Sequence, residues 1–140
     1  MARDLSGEVR DFVVRALNGG NPVKSLLGDG RAYGPSAPAD PPWPFIRVDL
    51  PVIVPERNGC GDGSRYTFRV HGFAKGDDET NAAALGGGIA SQLDELAGDM
   101  DVDPPATVTD TVWTGSQVFR DTASVDGWHS VVSVIVRVSG

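Results

Sequence analysis

Trp128-His129-Ser130-Val131-Val132-Ser133-Val134-Ile135-Val136-Arg137-Val138 decides the fold. Trp128, Ser130, Val132, Val134, Val136 and Val138 alternate against His129, Ser133 and Arg137, so one side of an extended chain is apolar and the other mixed. That period of two predicts a half-buried antiparallel strand. Asp126-Gly127 supplies the turn before it, and residues 107–120, rich in Thr and Val with Trp113 and Phe119, predict its hairpin partner. Further back, Tyr66, Phe68 and Val70 alternate with Arg65, Thr67, Arg69 and His71, which predicts another strand of the same kind.

Residues 44–50 predict a fourth strand, with Ile46, Val48 and Leu50 on a shared face. Seven of the ten prolines lie between Pro35 and Pro55, so this part of the chain is extended. Pro51 and Pro55 bracket Val52-Ile53-Val54, and residues 56–63 carry three glycines. The expectation is a long mobile excursion at the tip of a hairpin. Loops of that length in small domains are more often functional than accidental.

Two stretches carry helical periodicity instead. Leu5, Val9, Phe12, Val13, Ala16 and Leu17 form a stripe with one buried face, stopped by Asn18-Gly19-Gly20 and Pro22. Residues 25–33 predict a helical turn leading into a loop. Asp77 or Asp78 caps a second helix with the buried stripe Leu85, Ile89, Leu93 and Leu96, ended by Gly98. Gly86-Gly87-Gly88 lies in mid-helix, where each glycine costs roughly 1 kcal/mol relative to alanine. Close approach of another backbone would compensate, either the chain's own sheet or a neighbouring subunit. Residues 94–103 hold five acids and no base before Pro104-Pro105, a solvated connection. The order helix, strand, strand, helix, strand, strand predicts an α+β domain over residues 1–140, a four-stranded antiparallel sheet with two helices on one face.

The composition narrows the function. The chain has 140 residues, 40% of them hydrophobic, no run of 18 apolar residues and an N-terminus without the apolar stretch of a secretory signal. A soluble protein made in a cytoplasm is expected, with no membrane partner. Residues 1–70 hold nine Lys/Arg against eight Asp/Glu, and residues 71–140 three against eleven. Such an acidic half would repel a phosphate backbone, so nucleic acid would pass it without binding.

No catalytic set converges. Cys60, the single cysteine, excludes an internal disulfide, and with His71 and His129 it is too little for a zinc cluster. A Cys60 thiolate would need His71 to return toward the loop. Gly59, Gly61 and Gly63 lack the Lys-Ser/Thr of a phosphate cradle, and Gly86-Gly87-Gly88 lacks the context of a dinucleotide site. Asp99, Asp101 and Asp103 have alternate-residue spacing, but prolines stand where a calcium loop needs its glycine and further ligands. No catalytic residue, cofactor or metal is expected.

Several features together resemble the tail-completion, or tail-terminator, proteins of long-tailed phages and gene transfer particles. They are the N-terminal helix, Pro41-Pro42-Trp43-Pro44-Phe45-Ile46-Arg47-Val48, His71-Gly72-Phe73-Ala74, the acid-capped Ala-rich helix with Ile89 and Leu93, and Asp126-Gly127-Trp128-His129. The resemblance covers nearly the whole chain, and departs at His71-Gly72-Phe73 and over residues 51–63. It implies a structural virion protein of the tail-neck region, not an enzyme, assembled in the host cytoplasm as a homo-oligomer, typically a hexameric ring. The ring would cap the tail tube, stop its polymerisation and join the head through a connector or neck protein. Within that reading Val52, Ile53 and Val54 with Arg57 would meet the tube. Gly86, Gly87 and Gly88 would permit close subunit packing, and Asp99, Asp101 and Asp103 would face a lumen through which DNA passes. A neck or head-completion connector is the near alternative, and a small thiol-dependent enzyme using Cys60 the distant one.

Overall fold

The computed structural model describes residues 3–58, 61–122 and 124–140, and of residues 57, 58, 61 and 62 the backbone alone. Its helices are α1 (Ser6–Asn18), α2 (Val23–Leu27) and α3 (Thr80–Leu93). Its strands are β1 (Ala32–Tyr33), β2 (Phe45–Val48), β3 (Val52–Asn58), β4 (Gly61–Lys75), β5 (Gly98–Met100), β6 (Ala106–Arg120) and β7 (Gly127–Ser139). The long alternating strands form because their apolar rows can be buried together. Tyr66, Phe68 and Val70 of β4 and Val132, Val134 and Val136 of β7 are fully buried against Val9, Val13 and Leu17 of α1 and Leu85, Ile89 and Leu93 of α3.

The sheet is larger than the sequence predicts: seven strands among the described residues rather than four, in the order β1-β2-β4-β7-β6-β5 with β3 also on β4. All pairings are antiparallel except β1 with β2. Three short elements were not foreseen as such. The two-residue β1 is held by Asn18, whose side chain donates to the Ala32 carbonyl at 3.0 Å and accepts its N–H at 2.8 Å. α2 is a five-residue helix that starts at Val23. β5 falls inside the supposed solvated connection, because Met100 turns inward while Gly98–Met100 pairs with 106–108 of β6.

The long excursion after Pro51 is also corrected. β3 continues along the edge of β4, with registers running from Val52↔Thr67 to Asn58↔Gly61. Its prolines are tolerated because β3 is an edge strand whose outer side needs no donors. Gly63 is required by contact, since a Cβ there would sit 2.9 Å from the Val138 carbonyl oxygen. β2 and β3 are thus two segments of one edge, broken at residues 49–51. That break takes Leu50 off the core face and leaves it 58% exposed, whereas Ile46 and Val48 are buried.

α3 likewise ends at Leu93 and not at Gly98. The N-cap of α3 is Glu79 rather than Asp77 or Asp78, and Asp78, one residue further out, accepts the Thr80 N–H at 3.0 Å, hydrogen bonds from Thr80 lowering its pKa. Gln92 near the end of α3 joins the three helices, donating to the carbonyl of Ala16 at 2.6 Å and accepting the Val23 N–H at 3.0 Å. The α1 stripe is as predicted, but Gly19 stays right-handed (φ −94°), its N–H bonded to the Arg15 carbonyl.

Candidate functional site on the open sheet face

The helices cover one face of the sheet, so the strand registers alone determine what the other face presents. Four rows cross it. Phe45, Phe73, His129 and Phe119 form one, and Arg47, His71, Val131 and Gln117 the next. Toward the β3 end lie Val52, Thr67, Ile135 and Val112, then Val54, Arg65, Arg137 and Asp110.

The first two rows contain the most organised polar chemistry in the described residues. His71 Nδ1 lies 2.8 Å from His129 Nε2, and His71 Nε2 lies 2.7 Å from Asp49 Oδ2. A carboxylate only accepts, so His71 donates from Nε2 and its Nδ1 accepts from the Nε2–H of His129. Asp49 is held in turn by the Arg47 guanidinium at 3.3 Å. Burial, reinforced by the neighbouring His71, pushes the His129 pKa down to about 4. Arg47 acts in the same direction, and Asp121 and Asp49 oppose it.

Around this chain the aromatic rings stack across strands. Centroid separations are 4.5 Å for Phe45–Phe73 and 4.3 Å for Phe73–His129, and Phe119 meets His129 edge-on at 4.6 Å. Beside them is a cleft of about 600 Å³ lined by Pro35, Pro38, Trp43, Arg47, Phe73 and His129. The arrangement fastens β2, β4 and β7 together and is suited to holding a surface in shape. Its hydrogen bonds lead to Asp49, Arg47 and back into the sheet, with no nucleophile in the chain.

The residues singled out from the sequence are scattered. Cys60 lies outside the described residues, as do Gly59 and the side chain of Arg57. His71 is ten residues along a continuous strand from Gly61, about 34 Å at the usual strand rise. Both its ring nitrogens are already committed, to His129 and to Asp49. Val52 and Val54 are exposed, at 67% and 37%, but Ile53 points to the other face and packs on the core.

The glycine run divides three ways. A Cβ at Gly86 would stand 2.1 Å from Ser130 Oγ, and one at Gly88 would stand 2.7 Å from Leu26 Cδ1, whereas Gly87 has open space. The close approach at Gly86 and Gly88 is to the chain's own sheet and its own α2. Asp99 accepts the Thr107 hydroxyl at 2.9 Å, and Asp101 borders a cleft of about 340 Å³ with Glu8, Asp11 and Arg15 of α1. Asp103 is exposed. β3 and β5 lie on opposite sides of the sheet, so the apolar segment and the acidic one cannot form a single site.

Sequence reasoning missed the histidine pair. The signal was present, since His71 and His129 sit on alternating strands two residues from aligned aromatic and turn positions, but only the β4–β7 register brings them together.

The described residues thus form a small α+β subunit with one helix-covered face, one open face and a clamped histidine pair. This chain belongs to the tail completion protein gp17 family, whose sequence model matches residues 12–139. It is therefore a structural protein of a phage-type tail and part of a virion. Its fold is similar to that of a chain in the virion of a native gene transfer agent particle, with a TM-score of 0.78 and 13% identity, covering 99% of this chain and 100% of that one. A second solved chain aligns at 17% identity over 96% of this chain and 90% of its own length, but at a TM-score of 0.47. No curated protein matches. Among the described residues, no helix is long and apolar enough to cross a membrane.

Proposed function

We propose that this protein is a tail terminator, whose copies form a hexameric ring that caps the tail tube, stops its polymerisation and receives the head. The observation that carries the reading is the family match over residues 12–139. The similarity along the whole chain to a subunit of a gene transfer agent virion supports it. The partners are further copies, the tail tube protein and the connector or neck protein, and DNA passes without specific binding. Catalysis has no part in this role.

Within the ring, exposed Val52 and Val54, with Arg57, meet the next protein, and Gly87 is the one glycine of its run with room for a neighbour. Asp99, Asp101 and Asp103 line the passage, a same-sign surface that DNA slides past. Electron microscopy of lysates from a producing strain with and without this gene tests the reading. Overlong or headless tails on deletion are expected. Normal particles with normal tail lengths would overturn it.

A further inference from the structure

Among the described residues, two strand edges lack a neighbouring strand along part or all of their length. β5 covers β6 only along residues 106–108, and residues 94–96 reach it at Thr111 and Trp113 through the Glu95 N–H, the Leu96 carbonyl and the Asp94 carboxylate. From residue 114 to residue 120 no strand among the described residues lies beyond β6. On the far side of the sheet, β3 pairs with β4 alone, so the outer edge of Val52–Asn58 is open as well. Each open edge is seven residues long, about 24 Å.

An open edge presents unpaired N–H and C=O groups, and stable monomers guard such edges with charge or proline. β6 is the less guarded of the two: residues 114–119 read Thr-Gly-Ser-Gln-Val-Phe, with Arg120 the one charge of the uncovered stretch, whereas β3 carries Pro55, Glu56 and Arg57. Exposed apolar side chains gather at the same places. Of the eight exposed large hydrophobic side chains among the described residues, Leu50, Val52 and Val54 flank the β3 edge. Val112, Trp113 and Phe119 lie on β6. Val52, Val54 and Phe119 lie on the two open stretches themselves and Leu50, Val112 and Trp113 within two residues of them, so these six are not scattered.

We propose that copies of this chain join edge to edge, β6 of one copy pairing along residues 114–120 with the outer edge of β3 of the next. The occupant is a second copy because the two edges are equal in length, both apolar-flanked and on opposite sides of one sheet. Each copy therefore offers one edge and accepts the other. Such a contact is heterologous, so it repeats until rotation closes it into a ring, whereas β6 against β6 would stop at a two-fold dimer. Pro55 withholds one donor on β3 and restricts the registers available to the incoming strand. The inference rests on the ring reading for the number of copies, and on the two edges for how they meet.

Cysteines at Val54 and Gln117 test it, because both positions are exposed and both face the helix-free side of the sheet. In a Cys60→Ser background, V54C, Q117C and the double variant complement a deletion strain, and purified particles are treated with a short bis-maleimide. The double variant should yield a ladder of cross-linked copies and each single variant none. Ser116→Lys added to the double variant should abolish the ladder, with circular dichroism showing that the chain still folds. Cross-linking of Q117C to itself would overturn the proposal in favour of a two-fold contact. Cross-linking of Q117C to another virion protein would overturn it in favour of a tube or connector strand. Absence of a ladder in particles whose tails have normal length would overturn the edge contact while leaving termination standing. Tail length and head attachment on deletion report on termination separately.

Discussion

A methyl group tests the seat of α3 on the sheet one residue at a time. Ser130 Oγ is buried without a hydrogen-bond partner and faces the bare Cα of Gly86. Gly86→Ala should destabilise by about 1–2 kcal/mol despite its helix-propensity gain, because the hydroxyl has nowhere to go. Adding Ser130→Ala should recover most of that loss, a non-additivity visible in denaturant midpoints. Gly87→Ala, in open space, should instead stabilise by roughly 0.5–1 kcal/mol. Three adjacent glycines that look equivalent in the sequence thus divide by what lies opposite them. His129 gives the second prediction. Its folded pKa of about 4 lies below the ordinary 6.5, so the unfolded chain binds the proton first as pH falls. Stability should decline from pH 6.5 to pH 4 and then cease to depend on this group. The ring is partly exposed, so solvent screening reduces the effect to on the order of 1 kcal/mol. His129→Gln, which keeps a donor toward His71, should remove that slope from urea melts across the window.

Gln92 decides how the three helices meet, since one amide serves the end of α1 and the start of α2. Gln92→Ala leaves the buried Val23 N–H without its acceptor and should cost about 1–3 kcal/mol, measurable as a drop in Tm. Elements of this kind also mark how far the sequence could be read. α1 and β7 were legible because each is long and keeps one period that lands on the core, whereas β6 was legible by its length and Thr/Val content although two register shifts break its alternation and leave Val112, Trp113 and Phe119 exposed. β3 was not, because Pro51, Pro55 and the glycines around the tip carry the same composition as a loop. Proline is harmless on an edge strand, and Gly63 is demanded by the Val138 carbonyl rather than by flexibility. β5 escaped because a three-residue strand with one inward side chain, Met100, has no period to show. The Asp49–His71–His129 chain lay beyond local reading for another reason. Its members are 22 and 58 residues apart and meet only through strand register.

The molecule as a whole presents different surfaces on its opposite sides. The acidic residues of 99–103 lie by β5 and the first turns of α1, and the apolar β3 lies across the sheet. If that acidic side lines the passage, Asp99→Lys with Asp101→Lys should slow DNA exit and lower infectivity, while leaving tail length unchanged. Unchanged infectivity would place those residues on the outside. The two measurements separate the role of the charge from the role of the ring, because tail length depends on where copies join and DNA exit on what they expose.

Trp113 stands on β6 immediately before its uncovered stretch, 47% exposed, with its indole N–H held by Ser116 at 2.9 Å. The other two tryptophans are half-buried, Trp43 against Phe45 and Trp128 against the Gly76 carbonyl. One fluorophore out of three therefore reports on the edge that a neighbour would cover. Its emission should shift to the blue and lose its access to acrylamide when copies associate, while the other two keep theirs. The growth of an assembly from this protein can then be followed by its own light, with no label attached.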